Sequence, residues 1–540
     1  MKYLDGAEKI TRPESHKIFG PPGTGKTNYL ITKLMDIIDN KNIHPKDICY
    51  ITFTNKGIDE VRERLGVYKK TEGYESFATI HGLCNRYIKG ESSKLVEASD
   101  FEYWAKSERG DVKKEYGVDH ENNFILQLYN LQRVSNTKLE QSFMKINERN
   151  YKWKYVKYYV DSWHKYKENN NLHDFTDQIL FALKTNQFQK YKAVFLDEAQ
   201  DSSWCQWQVM DKLLDKGSVD YLYIAGDDDQ AIFDWNGGEV NYFLNKYSNI
   251  CESISLTKSH RLSQEHINFA SLISDTIKTK QQKKYVAQKK DEGYLQYTGN
   301  FRSIPVDNGE SWTIMVTGSR IMDEMKNILM RRRLWFKQTT ARGYVHYPVG
   351  AKILSALKCY FDLQAGKYVS KSELLFYRTL VKPKNFMPKQ LETLDKDQLY
   401  TGAQLKEMFN FDFSIDWKQH FADVNNPEWK KKVRYIRDCI ENNVDIFTKK
   451  PSIKLSTIHG MKGGEDENIV LVGNMEQPFY NKYRSNNSDE KDAITRMFYV
   501  GSTRAKKSMY VYMCSDLPYR FNFDRVFKQY NERKSRINES

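Results

Sequence analysis

Apolar residues recur at helical spacing from Asn28 to Asp39, with Leu30, Ile31, Leu34, Ile37 and Ile38 on one face. Ile48 to Phe53 is a short strand-like run that ends in Thr54-Asn55-Lys56, and Gly57 to Leu65 returns to a helical pattern. Strand, loop and helix alternating in this way predicts an α/β fold with a parallel sheet. Ala193-Val194-Phe195-Leu196 predicts a buried strand ending at Asp197, and Tyr221-Leu222-Tyr223-Ile224-Ala225 predicts another ending at Gly226-Asp227. From about 84 to 190 the pattern is mostly helical and rich in Tyr, Trp and Lys, as in an inserted helical domain. A second α/β set follows, with strands expected at Trp312–Val316, Ile469–Val472 and Met509–Met513. Between them, roughly 345–450 is a Lys- and Tyr-rich helical stretch with little strand signal. The basic, polar tail after Pro518 suggests partial disorder. No low-complexity linker or short-period repeat interrupts the chain.

A chain of 540 residues is long enough for three or four domains. No run of eighteen apolar residues occurs and mean hydropathy is −0.73, which predicts no membrane span. The first residues lack an apolar signal core, so a cytoplasmic protein of a bacterial or phage-infected cell is expected. Seven cysteines without a CxxC or Cys/His cluster point away from zinc and iron–sulfur sites and fit a reducing compartment. Net charge is +14 and aromatics reach 14%, which suits single-stranded nucleic acid, where cations track phosphates and rings stack on bases. A generic Lys-rich surface is the competing explanation, and charge alone does not decide between them.

Gly20-Pro21-Pro22-Gly23-Thr24-Gly25-Lys26-Thr27 matches the phosphate-binding pattern G-x-x-x-x-G-K-[ST], between an apolar approach and a helix. Its glycines let backbone N–H groups wrap phosphates, Lys26 reaches the β/γ oxygens, and the Thr27 hydroxyl ligates Mg²⁺. Asp197 and Glu198 supply the other half. Asp197 would hold the metal through water, and Glu198 would orient or deprotonate the attacking water. In open parallel sheets, ligands sit at the carboxyl ends of strands, so both acidic strand ends should face the crevice of the glycine loop.

The residues around these groups narrow the class. Thr52-Phe53-Thr54-Asn55-Lys56, Thr79-Ile80-His81-Gly82, Asp197-Glu198-Ala199-Gln200-Asp201 and the run Gly226–Trp235 resemble motifs Ia, Ib, II and III of superfamily 1 helicases. Leu455–Glu465 resembles motif V and Phe498–Ala505 motif VI, all in the family's order. The chain is thereby similar to the UvrD/Rep/PcrA branch over nearly its whole length. The resemblance implies two RecA-like motor domains, each with a mainly helical insertion, and NTP bound between the motors. On this basis 1–83 and 171–258 form the first motor and 84–170 its insertion. The second motor is 259–345 and 451–540, with a shortened insertion at 346–450. His173-Asp174-Phe175-Thr176-Asp177 resembles a further motif of this branch and is assigned no chemistry.

The resemblance also implies roles. Lys26 and Glu198 act in hydrolysis, Gln230 senses the γ-phosphate and couples it to DNA contacts, and Arg261 and Arg504 stabilise γ-phosphate charge from the second motor. Gly20 to Thr27, Asn28, His260, Lys462 and Glu465 contact the nucleotide. Phe53, Phe233 and Trp235 stack on bases, although Phe53 ends an apolar run and a core position is its alternative. Thr54, Asn55, Thr79, His81, Thr457 and His459 bond strand phosphates or sugars. The implied activity is ATP- and Mg²⁺-dependent 3′-to-5′ movement of a monomer on single-stranded DNA. Unwinding at single-strand/duplex junctions would follow, with replication or repair proteins as further partners. A protein-displacing translocase with weak unwinding, a nucleotide-gated DNA-binding scaffold, and an RNA track are the alternatives.

The base-facing end departs from the family pattern. Residues 1–19 contain no Gln, Asn28 stands where an arginine is usual, and His260 replaces a tyrosine. Relaxed base selectivity is the expectation. Trp235-Asn236-Gly237 also lacks the usual arginine, and Arg331–Arg333 and Lys430–Lys432 are either replacement cations or solvated faces.

Overall fold

The computed structural model describes residues 14–67, 71–87, 93–108, 111–116, 123–146, 150–215, 219–288, 293–340, 344–378, 391–409 and 427–539. The chain divides into two compact units, Met1–Glu292 with Asn481–Thr503 and Lys528–Ser540, and Gly293–Tyr480 with Arg504–Phe527.

The first unit is built on the strands β1 (Glu14–Phe19), β2 (Ile48–Thr52), β3 (Phe77–Thr79), β4 (Ala193–Leu196), β5 (Tyr221–Gly226) and β6 (Glu252–Ser255). They lie in the order β3-β2-β4-β5-β1-β6, every pairing parallel. Side chains alternate between faces, as a pleated strand requires. Ile48, Tyr50, Ala193, Phe195, Tyr223 and Ala225 belong to one apolar cluster. Cys49, Ile51, Val194, Leu196, Leu222 and Ile224 belong to another. The helix Lys26–Asp39 buries Leu30, Ile31, Leu34 and Ile37 through the stripe read from the sequence. Because the strands are parallel, the residues after β1, β2, β3, β4 and β5 emerge on one edge, and the candidate residues of this unit up to Trp235 lie at or after those ends.

The helices between residues 98 and 169 enclose a separate core containing Phe101, Trp104, Leu128 and Trp163. A buried ionic cluster fixes their junction with the sheet. Asp174 caps the helix Phe175–Thr185 in a reciprocal box with Asp177. Arg133 from the helix Phe124–Val134 pairs with both acids at 2.6 and 2.5 Å, and Lys167 from the helix Trp153–Asn169 pairs with Asp174 at 2.5 Å and also with Asp177. The two cations hold the Asp174 carboxyl well below the ordinary carboxylate range despite burial.

The second unit carries β7 (Tyr294–Thr298), β8 (Trp312–Val316), β9 (Phe336–Thr339), β10 (Val345–His346), β11 (Ile453–Thr457), β12 (Asp466–Val472) and β13 (Ala505–Tyr512). Their order is β7-β13-β12-β8-β11-β9-β10, parallel except for the β9–β10 edge. Described helices of 351–441 form a further core with Tyr360, Leu374, Tyr435 and Cys439. Chain and fold class agree: parallel α/β sheets with helical insertions.

One expectation is corrected. The tail after Pro518 folds as the helix Phe523–Glu539, because Phe523, Val526, Phe527 and Tyr530 form a buried stripe between its charged residues. Residues 259–292 and 481–503 group by their contacts with the first unit. Leu256 N donates to Phe19 O at 2.9 Å and Ser259 Oγ to Pro22 O at 2.8 Å, while Asp492 accepts from the backbone of Lys278 and Thr279. Among the described residues, no helix is long and apolar enough to cross a membrane.

Candidate active site

The glycine loop leaves β1 and is held by its own backbone. Gly20 N donates to Gly226 O at 3.0 Å, and Thr24 donates to Pro21 O through N at 3.2 Å and Oγ1 at 2.7 Å. Two glycines are dictated by space. A Cβ at Gly20 would stand 2.2 Å from Lys26 Cγ, and Gly23 has φ +73° with its Cβ position 2.5 Å from Arg261 Cβ. Lys26 Nζ donates to Gly20 O at 2.9 Å, folding the ammonium back over the loop. The helix Lys26–Asp39 begins immediately, so its first N–H groups add an anion-binding end to the same turn.

Thr27 and Asp197 meet across the sheet edge, with Thr27 Oγ1 donating to Asp197 Oδ2 at 2.8 Å. Asp197 is 4% exposed, and burial and the Glu198 charge push its carboxyl up to about 6. This hydroxyl and carboxylate pair of hard oxygens fits Mg²⁺, which takes one or two protein oxygens and completes its shell with water and phosphate. Glu198 sits in the left-handed region at φ 54°, a strained backbone position for a residue with a side chain.

Gln200 links this acid to the next strand end, a role the sequence reading did not assign. Its Nε2 donates to Glu198 Oε2 at 2.6 Å and Asp201 Oδ2 at 3.1 Å, and its Oε1 accepts from Asp227 N at 3.0 Å. Asp227 Oδ2 in turn accepts from Gln230 Nε2 at 2.7 Å. Glu198 and Gln230 are therefore joined through two residues, all at the carboxyl ends of adjacent strands.

Gln230 leads within five residues to the aromatic track. Phe53 and Phe233 stack at 5.4 Å with their planes 16° apart, and Trp235 meets Phe233 edge-on at 6.1 Å. Trp235 is 49% exposed and Phe53 and Phe233 are half-buried, so Phe53 is not a core residue. Thr54 Oγ1 accepts from Gly57 N at 3.1 Å and Thr79 Oγ1 from Gly82 N at 3.2 Å, capping two helices. An accepting hydroxyl keeps its own proton to donate, so capping is compatible with a phosphate contact. Asn55 is exposed beside Thr54. His81 packs edge-on against Phe175 at 5.7 Å, and burial lowers its pKa, favouring the neutral ring.

A cavity of about 230 Å³ opens beside the loop, lined by Thr24, Gly25, Asn28, Tyr29, Leu256 and His260 among others. Asn28 Oδ1 accepts from Arg64 Nη1 at 3.1 Å, so a guanidinium arrives from the helix Asn55–Arg64 rather than from position 28. His260 is exposed, and its N donates to Gly23 O at 2.9 Å. Of the upstream segment without Gln, residues 1–13 lie outside the described residues.

The second unit carries the remaining candidates. Thr457 Oγ1 accepts from Gly460 N at 3.0 Å, next to half-buried His459. Arg504 is 1% exposed, with Nη1 3.4 Å from Gly464 O. Glu465 pairs with Lys506 at 2.7 Å, and Lys462 is half-buried in the same loop. Arg332 pairs with Asp307, Arg333 reaches Asn442, and Lys431 bonds Asn327; the Lys430 side chain lies outside the described residues.

Comparison with known proteins agrees with this geometry. The model of the UvrD/REP helicase N-terminal domain matches residues 8–251, and that of the UvrD-like helicase C-terminal domain matches 380–516. The chain is 23% identical to the ATP-dependent DNA helicase Rep of Buchnera aphidicola subsp. Baizongia pistaciae, covering 92% of this chain and 88% of that protein. It is 22% identical to the probable DNA helicase II homolog of Mycoplasma genitalium, covering 92% and 82%, and 20% identical to the ATP-dependent DNA helicase PcrA of Staphylococcus aureus, covering 92% and 80%. A phosphate loop, a Thr27–Asp197 pair and a relay from Glu198 to Gln230, in a chain matched by both family domains, make it a member of the UvrD/Rep/PcrA-type superfamily 1 helicases.

Proposed function

We propose that the chain is an ATP-dependent DNA helicase that moves 3′-to-5′ on single-stranded DNA and unwinds duplex at junctions. The observation that carries this reading is the continuous path from Glu198 through Gln200, Asp227 and Gln230 to Phe233 and Trp235. It connects the hydrolytic acid to an exposed aromatic track. Relatives named as ATP-dependent DNA helicases support the activity, and polarity is carried by the family resemblance.

In this reading the loop N–H groups and Lys26 hold the triphosphate. Mg²⁺ would be held by Thr27 and Asp197, where it supplies positive charge against the phosphate oxygens. Glu198 receives a proton from the attacking water, and Gln230 orients that water against the terminal phosphate. Arg261 neutralises charge developing on the transferred phosphoryl group, and Arg504 is assigned the same task on the resemblance. Phe53, Phe233 and Trp235 stack bases, while Thr54, Asn55, Thr79, His81, Thr457 and His459 contact the strand backbone.

The test is NTP hydrolysis with and without single-stranded DNA. Hydrolysis should rise on adding DNA and be lost in Lys26→Ala and Glu198→Gln. Hydrolysis indifferent to DNA would instead favour a nucleotide-gated scaffold. Relaxed base selectivity rests on Asn28 and His260 standing where the family carries an arginine and a tyrosine, both of them lining this cavity. Steady-state kinetics should give similar kcat/KM for ATP and GTP, and a strong preference for ATP would contradict it.

A further inference from the structure

The segment 278–287 crosses the end of β5 and is tied at several points. Lys278 N and Thr279 N donate to Asp492, Gln281 N donates to Asp228 Oδ2 at 2.7 Å, and Tyr285 Oη lies 3.3 Å from Tyr499 Oη. Val286 and Ala287 pair with Lys258 and Ser259. From the middle of this strap Lys283 enters the protein, its side chain 3% exposed. Its ammonium lies 2.7 Å from Asp227 Oδ1 and 3.2 Å from Asp229 Oδ2, and it bonds Asp228 Oδ1 as well. All three acids are at most 4% exposed at the side chain.

The two oxygens of Asp227 have different tasks. Oδ1 is occupied by Lys283 and by Asp229 N at 3.2 Å, while Oδ2 accepts from the Gln230 amide at 2.7 Å. A buried carboxylate bonded on one side by an ammonium cannot rotate without leaving both charges unsatisfied. Its other oxygen then fixes the plane of the Gln230 amide. We infer that Lys283 is a positioning residue for hydrolysis, holding Gln230 in its working orientation through Asp227. The inference rests on the role proposed for Gln230. The same strap is bonded to the helix Ser488–Ser502, so a shift of that helix would reach Gln230 through Lys283.

The test is steady-state hydrolysis by the full chain with saturating single-stranded DNA. Lys283→Met should lower kcat about ten- to hundredfold, the scale of a misplaced reacting group, with the KM for NTP nearly unchanged. Lys283→Arg, which keeps a cation and donors, should recover part of kcat. Lys283→Met in a Gln230→Ala background should lower kcat no further. Because Lys283→Met leaves three buried acids, Lys283→Met/Asp229→Asn provides the same reading with one charge fewer. A folded Lys283 variant with normal kcat, or losses that multiply with Gln230→Ala, would overturn the inference while sparing the role of Gln230. Normal kcat in Gln230→Ala alone would overturn both.

Discussion

Asp227, Asp228 and Asp229 share one buried lysine, and one ammonium cannot balance three carboxylates. Among the described residues Asp229 Oδ1 has no hydrogen-bond partner, and burial pushes this carboxyl up to about 7. A folded pKa above the ordinary value near 3.9 means the folded chain retains a proton that the unfolded chain has shed. Stability from this site is full below about pH 4 and is lost as pH rises toward 7. Asp229→Asn is therefore predicted to stabilise the protein by about 1–3 kcal/mol at pH 8, with little effect at pH 4. Urea unfolding at the two pH values checks this, and destabilisation at pH 8 would contradict it. On the strand track, Trp235→Ala should weaken single-stranded DNA binding by about 1–3 kcal/mol. Hydrolysis measured without DNA should not change, whereas an equal loss in both would place Trp235 in the fold rather than on the track. Asp197, Glu198 and Gln230 are legible as sequence because motif spacing exposes them. Gln200 and Lys283 are not, since their roles depend on which strand ends adjoin, and Gln281-Gln282-Lys283-Lys284 reads as solvated surface.

Elements were legible where apolar period and length agree. Ala193–Leu196 and Trp312–Val316 are unbroken apolar-rich strands and fold as read. The helix Phe523–Glu539 was hidden because its buried stripe is only four residues wide among Lys, Arg, Glu and Asn. Packing supplies what composition concealed, for instance the stacking of Phe527 on Tyr297 at 4.9 Å. The run from His173 to Asp177, given no chemistry, turns out to anchor the inserted helices through Arg133 and Lys167. Asp174→Asn should cost about 3–5 kcal/mol near neutrality, because it leaves two buried cations with only the partly exposed Asp177 to balance them. The folded pKa of Asp174 is depressed, so its contribution is full above the ordinary carboxyl value and is lost as pH falls through the folded one. Denaturant melts should accordingly show the penalty shrinking in acid, and a penalty that grows there would contradict the assignment.

At the scale of the whole molecule, two parallel-sheet units with inserted helices follow from the alternation of strand and helix signals, and both family domains match. The division between the units was less legible. Residues 259–292 and 481–503 follow their contacts to the glycine loop and to each other, which no periodicity announces. A net charge of +14 fits a polyanionic track without naming it. The central claim is directed, NTP-driven movement along single-stranded DNA. Its most direct measurement is unwinding of duplexes bearing either a 3′ or a 5′ single-stranded tail, by the wild-type chain and by Lys26→Ala. Unwinding of 3′-tailed duplexes should require NTP and disappear in Lys26→Ala; unwinding of 5′-tailed duplexes alone would refute movement in the 3′-to-5′ direction.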